Sequence, residues 1–212
     1  MIVWIFGTSS DFGQVMVSEF GQHATKVHAF GRSNVNYKDP KSFIDSKSNE
    51  LKIPDIVVFN TNIGTPFEMN RPIHLQNIDT QKLIFAEWFH NSLDLNFFKI
   101  YLFDWLINNG FKGQICHITS QIARDQNPAD KDLLQYKMLR ALDYQIIQTQ
   151  RQYGIDSYGV CPAQLEDIIQ WAKYITNLIL DKNKEKSWLY GIAKNDNGTM
   201  TYITYPSDGI YD

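Results

Sequence analysis

The stretch Gly7-Thr8-Ser9-Ser10-Asp11-Phe12-Gly13 follows an apolar run, Ile2–Phe6, and precedes a helical pattern. Small residues between glycines at a strand-to-helix turn let backbone N–H groups approach a phosphate, so the chemistry this spacing could serve is binding of a dinucleotide pyrophosphate, although by itself such a turn is as often only a turn. Asp11 is the odd member. With Gln14 three residues on, it forms a capping-box pattern, and it is expected to accept orphan N–H groups of the helix and to turn away from the phosphate. Further along, Tyr136 and Arg140 lie four apart and share one helix face, a phenol near a fixed cation. Other chemistries fit poorly. The histidines, at 23, 28, 74, 90 and 117, show no paired metal-ligand spacing. Cys116 and His117 are neighbours in a strand pattern and point to opposite faces, which excludes a direct dyad. No Gly-x-Ser-x-Gly elbow occurs.

Composition narrows the setting for these residues. A chain of 212 residues with 43% hydrophobic content suits one globular domain, 1–212, with a full core. Its formal net charge is −3 and its Lys and Arg residues are scattered, so neither nucleic acid nor an anionic membrane is an expected partner. The most apolar helical segment, around Phe97–Ile107, is interrupted by Lys99 and Asp104, and the start has no basic leader pattern. A soluble cytoplasmic protein is expected. Cys116 and Cys161 each sit inside an apolar run, so neither a disulfide framework nor a metal cluster is implied.

The elements that must position the candidate residues alternate along the chain. Strand patterns occur at Ile2–Phe6, Lys26–Phe30, Ser42–Ile44, Ile56–Asn60, Gly113–Thr119, Ser157–Cys161 and Met200–Thr204. Helical patterns cover Gly13–Gly21, Thr80–His90 continuing through Ser92–Asn109, Leu133–Tyr153 and Leu165–Leu180. This alternation predicts an α/β architecture, a doubly wound parallel sheet of about six or seven strands with helices on both faces. The charged run Asp181–Lys186 reads as a solvated turn.

Over nearly its whole length the chain resembles the short-chain dehydrogenase/reductase family. Phe6–Gly13 is similar to the T-G-x-x-x-G-x-G turn, with Phe6 in place of the threonine and Asp11 in place of the second glycine. Asp55–Asn62 is similar to D-x-x-x-N-N-A-G, with Asn60 as its second asparagine and Asn62 in place of the glycine, which Asn tolerates in the left-handed region. The segment ending in Asn96, the strand leading to Ser120, and Tyr136 through Arg140 fall where the family carries its catalytic asparagine, serine and Y-x-x-x-K. Later, Pro162–Asp167 is similar to P-G-x-x-x-T, with Ala163 and Asp167 as departures.

The resemblance implies hydride transfer between a nicotinamide and a carbonyl or alcohol carbon of a small-molecule substrate. Tyr136 would be the acid/base, Ser120 would polarise the reacting oxygen, and Asn96 would hold a water or backbone group on the proton route. A free phenol with pKa near 10 needs a neighbouring cation to act at neutral pH. Here that cation is Arg140, which can pair with ribose hydroxyls but, as a guanidinium, cannot release a proton. A catalytically silent dinucleotide-binding or structural protein is therefore the alternative. Gly7, Ser9, Ser10, Phe12, Gly13, Arg32, Ser33, Asn60, Thr61 and Arg140 would hold the cofactor. No carboxylate ends the second strand, whereas Arg32 can pair with a 2′-phosphate, so NADP(H) is expected over NAD(H). Asp45 is expected near the adenine edge. A homodimer or homotetramer is implied, with Phe97, Phe98, Tyr101, Leu102, Trp105, Leu139, Leu142 and Ile146 available to a second subunit.

Overall fold

The structure is a computed structural model that describes residues 1–47, 50–61, 78–119, 134–162, 167–195 and 197–205, without the side chains of 78, 80, 81, 84, 85, 88 and 134–139. Seven strands, β1 (Ile2–Phe6), β2 (Lys26–Phe30), β3 (Ile56–Phe59), β4 (Gln114–Ile118), β5 (Asp156–Pro162), β6 (Leu189–Lys194) and β7 (Met200–Tyr205), form one sheet in the order β2-β1-β3-β4-β5-β6-β7. All pairings are parallel except β6 with β7. The helices are α1 (Asp11–Gly21), α2 (Pro40–Lys47), α3 (Ile78–Asn108), α4 (Leu134–Gln152) and α5 (Ile168–Leu180).

Strand alternation sorts the core into two faces. Val3, Ile5, Ile56, Val58, Cys116, Ile118, Tyr158 and Val160 meet the apolar stripes of α1 and α5. Trp4, Phe6, Val57, Phe59 and Ile115 turn the other way, toward Phe98, Leu102 and Leu106 of α3 and Phe43 and Ile44 of α2. Tyr144 and Ile147 of α4 extend that second face over Cys161 and Leu189. Strands covered on both faces read as unbroken apolar runs, which is why β1, β3 and β4 were legible.

Two elements differ from the sequence pattern. Ser42–Ile44 belongs to α2 and is not a strand: Asp39 Oδ1 accepts from the Ser42 N–H at 3.0 Å, Pro40 opens the helix, and adjacent Phe43 and Ile44 both face the core. The sheet therefore ends at β2, and Asp45 is exposed and paired with Lys41 along α2. β6 was hidden because Gly191 interrupts its short apolar run and Lys194 ends it. The run Asp181–Lys186 is not wholly solvated: Lys184 Nζ donates to the carbonyls of Ile179 and Asp181 at the end of α5 and lies 5.1 Å from the Tyr158 ring.

Of the apolar side chains expected to meet a second subunit, Phe98, Leu102 and Ile146 are buried in this chain. Phe98 and Leu102 pack in the core beneath α3 with Phe6, Val57 and Phe59. Phe97, Ile100 and Tyr101 on α3 are exposed, and Leu139 lies outside the described side chains. No described helix is long and apolar enough to cross a membrane. Among the described residues, no cluster of His, Cys, Asp and Glu could hold a metal ion.

The second face also encloses polar groups. His117 on β4 is buried with Nε2 2.9 Å from Gln150 Oε1, which also accepts from Ser157 Oγ at 2.6 Å. Because that oxygen only accepts, Nε2 carries the imidazole proton and Nδ1 is bare. Burial, with repulsion from Lys99, holds the His117 pKa down at about 4. Folding thus keeps His117 neutral while an unfolded chain protonates it near pH 6.5, so stability present above that pH is lost as pH falls toward about 4. The loss is expected to be on the order of 3 kcal/mol. Thermal melts from pH 7 to pH 4 check this, and His117→Leu should flatten that limb.

Candidate functional site

Strand order reverses between β1 and β3, since the chain goes from β1 outward to β2 and then returns to β1's other side. Ligands of open α/β sheets bind at the carboxyl ends of the strands at such a point. Gly7 and Asn60 sit there. Gly7 has φ of +88°, and a Cβ on it would lie 2.0 Å from Asn60 O, so only glycine fits. A Cβ on Gly13 would lie 2.4 Å from Gly7 O, so this glycine lets α1 start directly against the strand end.

The turn is held by one hydroxyl and one amide. Ser10 Oγ accepts from the Gly13 N–H at 3.1 Å and from Asn60 Nδ2 at 3.1 Å, and donates to Gly7 O at 3.3 Å. Asn60 Nδ2 also donates to Gly7 O at 3.1 Å. Ser10 is thus the N-cap of α1, with extended backbone, and Asp11 is the first helical residue. The expected Asp11 cap is therefore corrected: the shorter Ser10 side chain reaches the helix N–H while Asn60 fixes it from β3. Asp11 is exposed in the first turn, where its charge complements the helix dipole. Phe12 packs its ring into the core, so it can offer a ligand only its backbone N–H. The helix start itself leaves the N–H groups of Asp11 and Phe12 without intrahelical acceptors, as a phosphate site requires.

At the end of β2, Ser9 Oγ accepts from the Arg32 N–H at 2.9 Å, tying the two loops together. Asn34, not singled out from sequence, shapes this corner: its Oδ1 accepts from the Gly31 N–H at 2.7 Å and its Nδ2 donates to Ala29 O at 3.0 Å. Arg32 and Ser33 are exposed on the turn so formed. Tyr37 lies behind it against Phe98, its phenol raised to about 12 by burial.

A second group of polar residues lines a cleft beside the ends of β3 and β4: Thr61, Ser92, Asn96, Lys99, Arg140 and Asp143. Asn96 Nδ2 donates to Ser92 O at 3.0 Å. Asn96 Oδ1 and Thr61 Oγ1 are buried without hydrogen-bond partners among the described residues. Asp143 Oδ1 accepts from Lys99 Nζ at 2.6 Å, and Asp143 Oδ2 accepts from Arg140 at 2.8 Å and from Thr119 Oγ1 at 3.3 Å. Lys99 and Asp143 are each 2% exposed and Arg140 5%. Burial alone would raise the Asp143 carboxyl, but Lys99 and Arg140 together hold it below the usual carboxylate range. Burial lowers the Lys99 ammonium, with Asp143 opposing.

The structure therefore brings Asn60, Thr61, Asn96 and Arg140 to one edge of the sheet. Ser120 lies outside the described residues; Tyr136 is in α4, one turn before Arg140, with its side chain outside the description. Asp167 caps α5 by accepting from the Gln170 N–H at 3.0 Å. Lys99 and Asp143 were missed from sequence, although the signal was present. Lys99 falls on the stripe Leu95, Phe98, Leu102 and Leu106, and Asp143 falls on the stripe Arg140, Ile147 and Gln150, where a charge must be buried.

No protein-family model matches the sequence, and no curated protein matches it. Solved structures do match in fold. A short-chain dehydrogenase/reductase from Vibrio parahaemolyticus superimposes with a TM-score of 0.66 at 14% identity, covering 90% of this chain and 98% of that one. A short-chain dehydrogenase from Leptospira borgpetersenii with bound NAD+ gives 0.59 at 20% identity, covering 81% and 75%. One from Burkholderia cenocepacia in complex with NADP gives 0.62 at 11% identity, covering 91% and 87%. The chain has the Rossmann-like fold of the short-chain dehydrogenases/reductases.

Because one carboxylate neutralises two buried cations, Asp143→Asn is expected to cost about 3–5 kcal/mol of stability, measured by urea unfolding. The same change in a Lys99→Met background should cost less, since one stranded charge has been removed.

Proposed function

We propose that the chain is a member of the short-chain dehydrogenase/reductase family, one dinucleotide-binding unit over its length, that uses NADP(H) to interconvert a carbonyl and an alcohol on a small molecule. The observation that carries this reading is the shared location of the glycine turn and the polar cleft at the carboxyl-terminal edge of the sheet. The relatives in fold solved with NAD+ and with NADP support a nicotinamide dinucleotide without choosing between the two. When bound, that group supplies or accepts a hydride. The backbone at Ser9, Ser10, Phe12 and Gly13 would receive the pyrophosphate, and Arg32 with Ser33 a 2′-phosphate. Asn60 and Thr61 would border the nicotinamide half, and Arg140 would orient the ribose. Ser120 would hydrogen-bond the reacting oxygen, Tyr136 would exchange its proton, and Asn96 would keep a water on the route to solvent. Exposed Phe97, Ile100 and Tyr101 favour assembly with a second copy.

The pairing of Arg140 with Asp143 favours a second reading, a silent binder, because that bond occupies part of the guanidinium. Calorimetry is expected to show NADPH binding more tightly than NADH, with Arg32→Ala weakening NADPH about tenfold and NADH little. Asp11→Asn should tighten both, because it removes a like charge worth on the order of 1 kcal/mol from the first turn of α1. An oxidoreductase should oxidise NADPH with a reactive quinone or aldehyde, and Tyr136→Phe should slow that at least about 100-fold. Binding without oxidation across a broad panel of carbonyl compounds supports the silent binder; no binding at all refutes both.

A further inference from the structure

We propose that the site recognises the adenosine end of its dinucleotide by the charge of the phosphate there and does not read the base, so that other 2′-phosphorylated purine dinucleotides bind as NADP(H) does. This rests on the cofactor reading above and deepens it. In such a ligand the base is joined to the ribose carbon next to the one that bears the 2′-phosphate. A phosphate held by Arg32 therefore brings the base against the same turn, residues 31–37, just beyond β2. Among the described residues β2 is the last strand on that side, so the turn itself must supply any contact that tells one base from another.

The turn and the helix that follows it are poorly equipped for that. Adenine is marked by an exocyclic amino group, and reading it takes an acceptor aimed at it. The carboxylates and side-chain amide oxygens from Asn34 to Asp45 already have partners. Asn34 Oδ1 accepts from the Gly31 N–H at 2.7 Å, Asn36 Oδ1 from the Lys38 N–H at 3.1 Å and Asp39 Oδ1 from the Ser42 N–H at 3.0 Å, while Asp45 pairs with Lys41. Asn34 Nδ2 is committed as well, to Ala29 O at 3.0 Å, and Gly31 O accepts from the Asn34 and Val35 N–H groups at 3.1 and 3.0 Å. The Tyr37 hydroxyl is buried. What the turn presents is Arg32 and Ser33, both exposed. A guanidinium pairs with phosphate through its edge and lies flat on a ring through its face, and the second contact is open to every base because every base has a π face. Ser9 Oγ, which accepts from the Arg32 N–H at 2.9 Å, fixes the backbone from which that side chain extends.

The test is calorimetry on the native chain with NADPH, with NADH, and with the hypoxanthine analogue of NADPH, in which oxygen replaces the amino group of the base. NADPH and the analogue are expected to agree within about threefold, a smaller gap than a hydrogen bond to the amino group would open, and NADH to bind more weakly than both by more than about threefold. Added salt should weaken NADPH and the analogue in parallel, since an exposed ion pair is screened. Arg32→Ala should weaken both by the same factor, about tenfold, and change NADH little. Its melting temperature, compared with that of the native chain, checks that this exposed substitution leaves the fold intact. A preference for NADPH over the analogue larger than about threefold overturns the proposal, because the base is then read, and leaves the cofactor reading standing. NADH binding as tightly as NADPH overturns it too, because the phosphate is then not read. If the native chain binds none of the three, the cofactor reading fails and the proposal fails with it.

Discussion

The carboxylate of Asp143 is the constraint around which the site is arranged. Two cations, Lys99 and Arg140, come from different helices and are both removed from water; each needs an anion at hydrogen-bond distance or must give up its charge. Asp143 meets both with separate oxygens and takes a third bond from Thr119 at the end of β4. That bond network ties α3 and α4 to each other and to Thr119 just past β4. A hydrophobic seam of equal volume would hold the helices as well. The polar one holds them with buried charges that line a cleft.

A second constraint operates at the glycine turn. Gly7 must pass within contact of the Asn60 carbonyl, and α1 must begin against Gly7, so neither position accepts a side chain. The Asn60 amide then uses both its hydrogens to tie Gly7 and Ser10, converting close approach into a fixed loop shape. A loop preorganised in this way does not spend binding energy on ordering itself around a ligand. The same arrangement explains why an aspartate is tolerated at position 11: the cap is supplied by Ser10, and the Asp11 carboxylate stands in solvent at the positive end of the helix.

The two polar centres are joined by the sheet. Asn60 and Thr61, just past β3, face the glycine turn and the cleft respectively. Thr119, just past β4, donates to Asp143. Below them, His117 and Gln150 continue a line of buried polar groups between β4 and α4, so the face carrying the cleft is polar near the strand ends and apolar toward β1 and α2. Aromatic packing of Phe6, Phe30, Phe43, Phe59 and Phe98 supports that apolar part.

What the sequence by itself determined is what local pattern can carry. The apolar runs of β1, β3 and β4, the long amphipathic helices and the glycine spacing were legible because strand and helix periodicity and turn chemistry depend on near neighbours. Three things depended on tertiary contact. Ser42–Ile44 became helical because Asp39 and Pro40 start a helix and the core accepts Phe43 and Ile44 side by side. Ser10 displaced Asp11 as the cap because Asn60, fifty residues away, holds its hydroxyl. Lys99, which in the sequence only interrupts an apolar helix, acquired a chemical environment because a carboxylate forty-four residues later folds onto it. Charges on a helix show their partners only when another element supplies them, and that pairing is decided by packing.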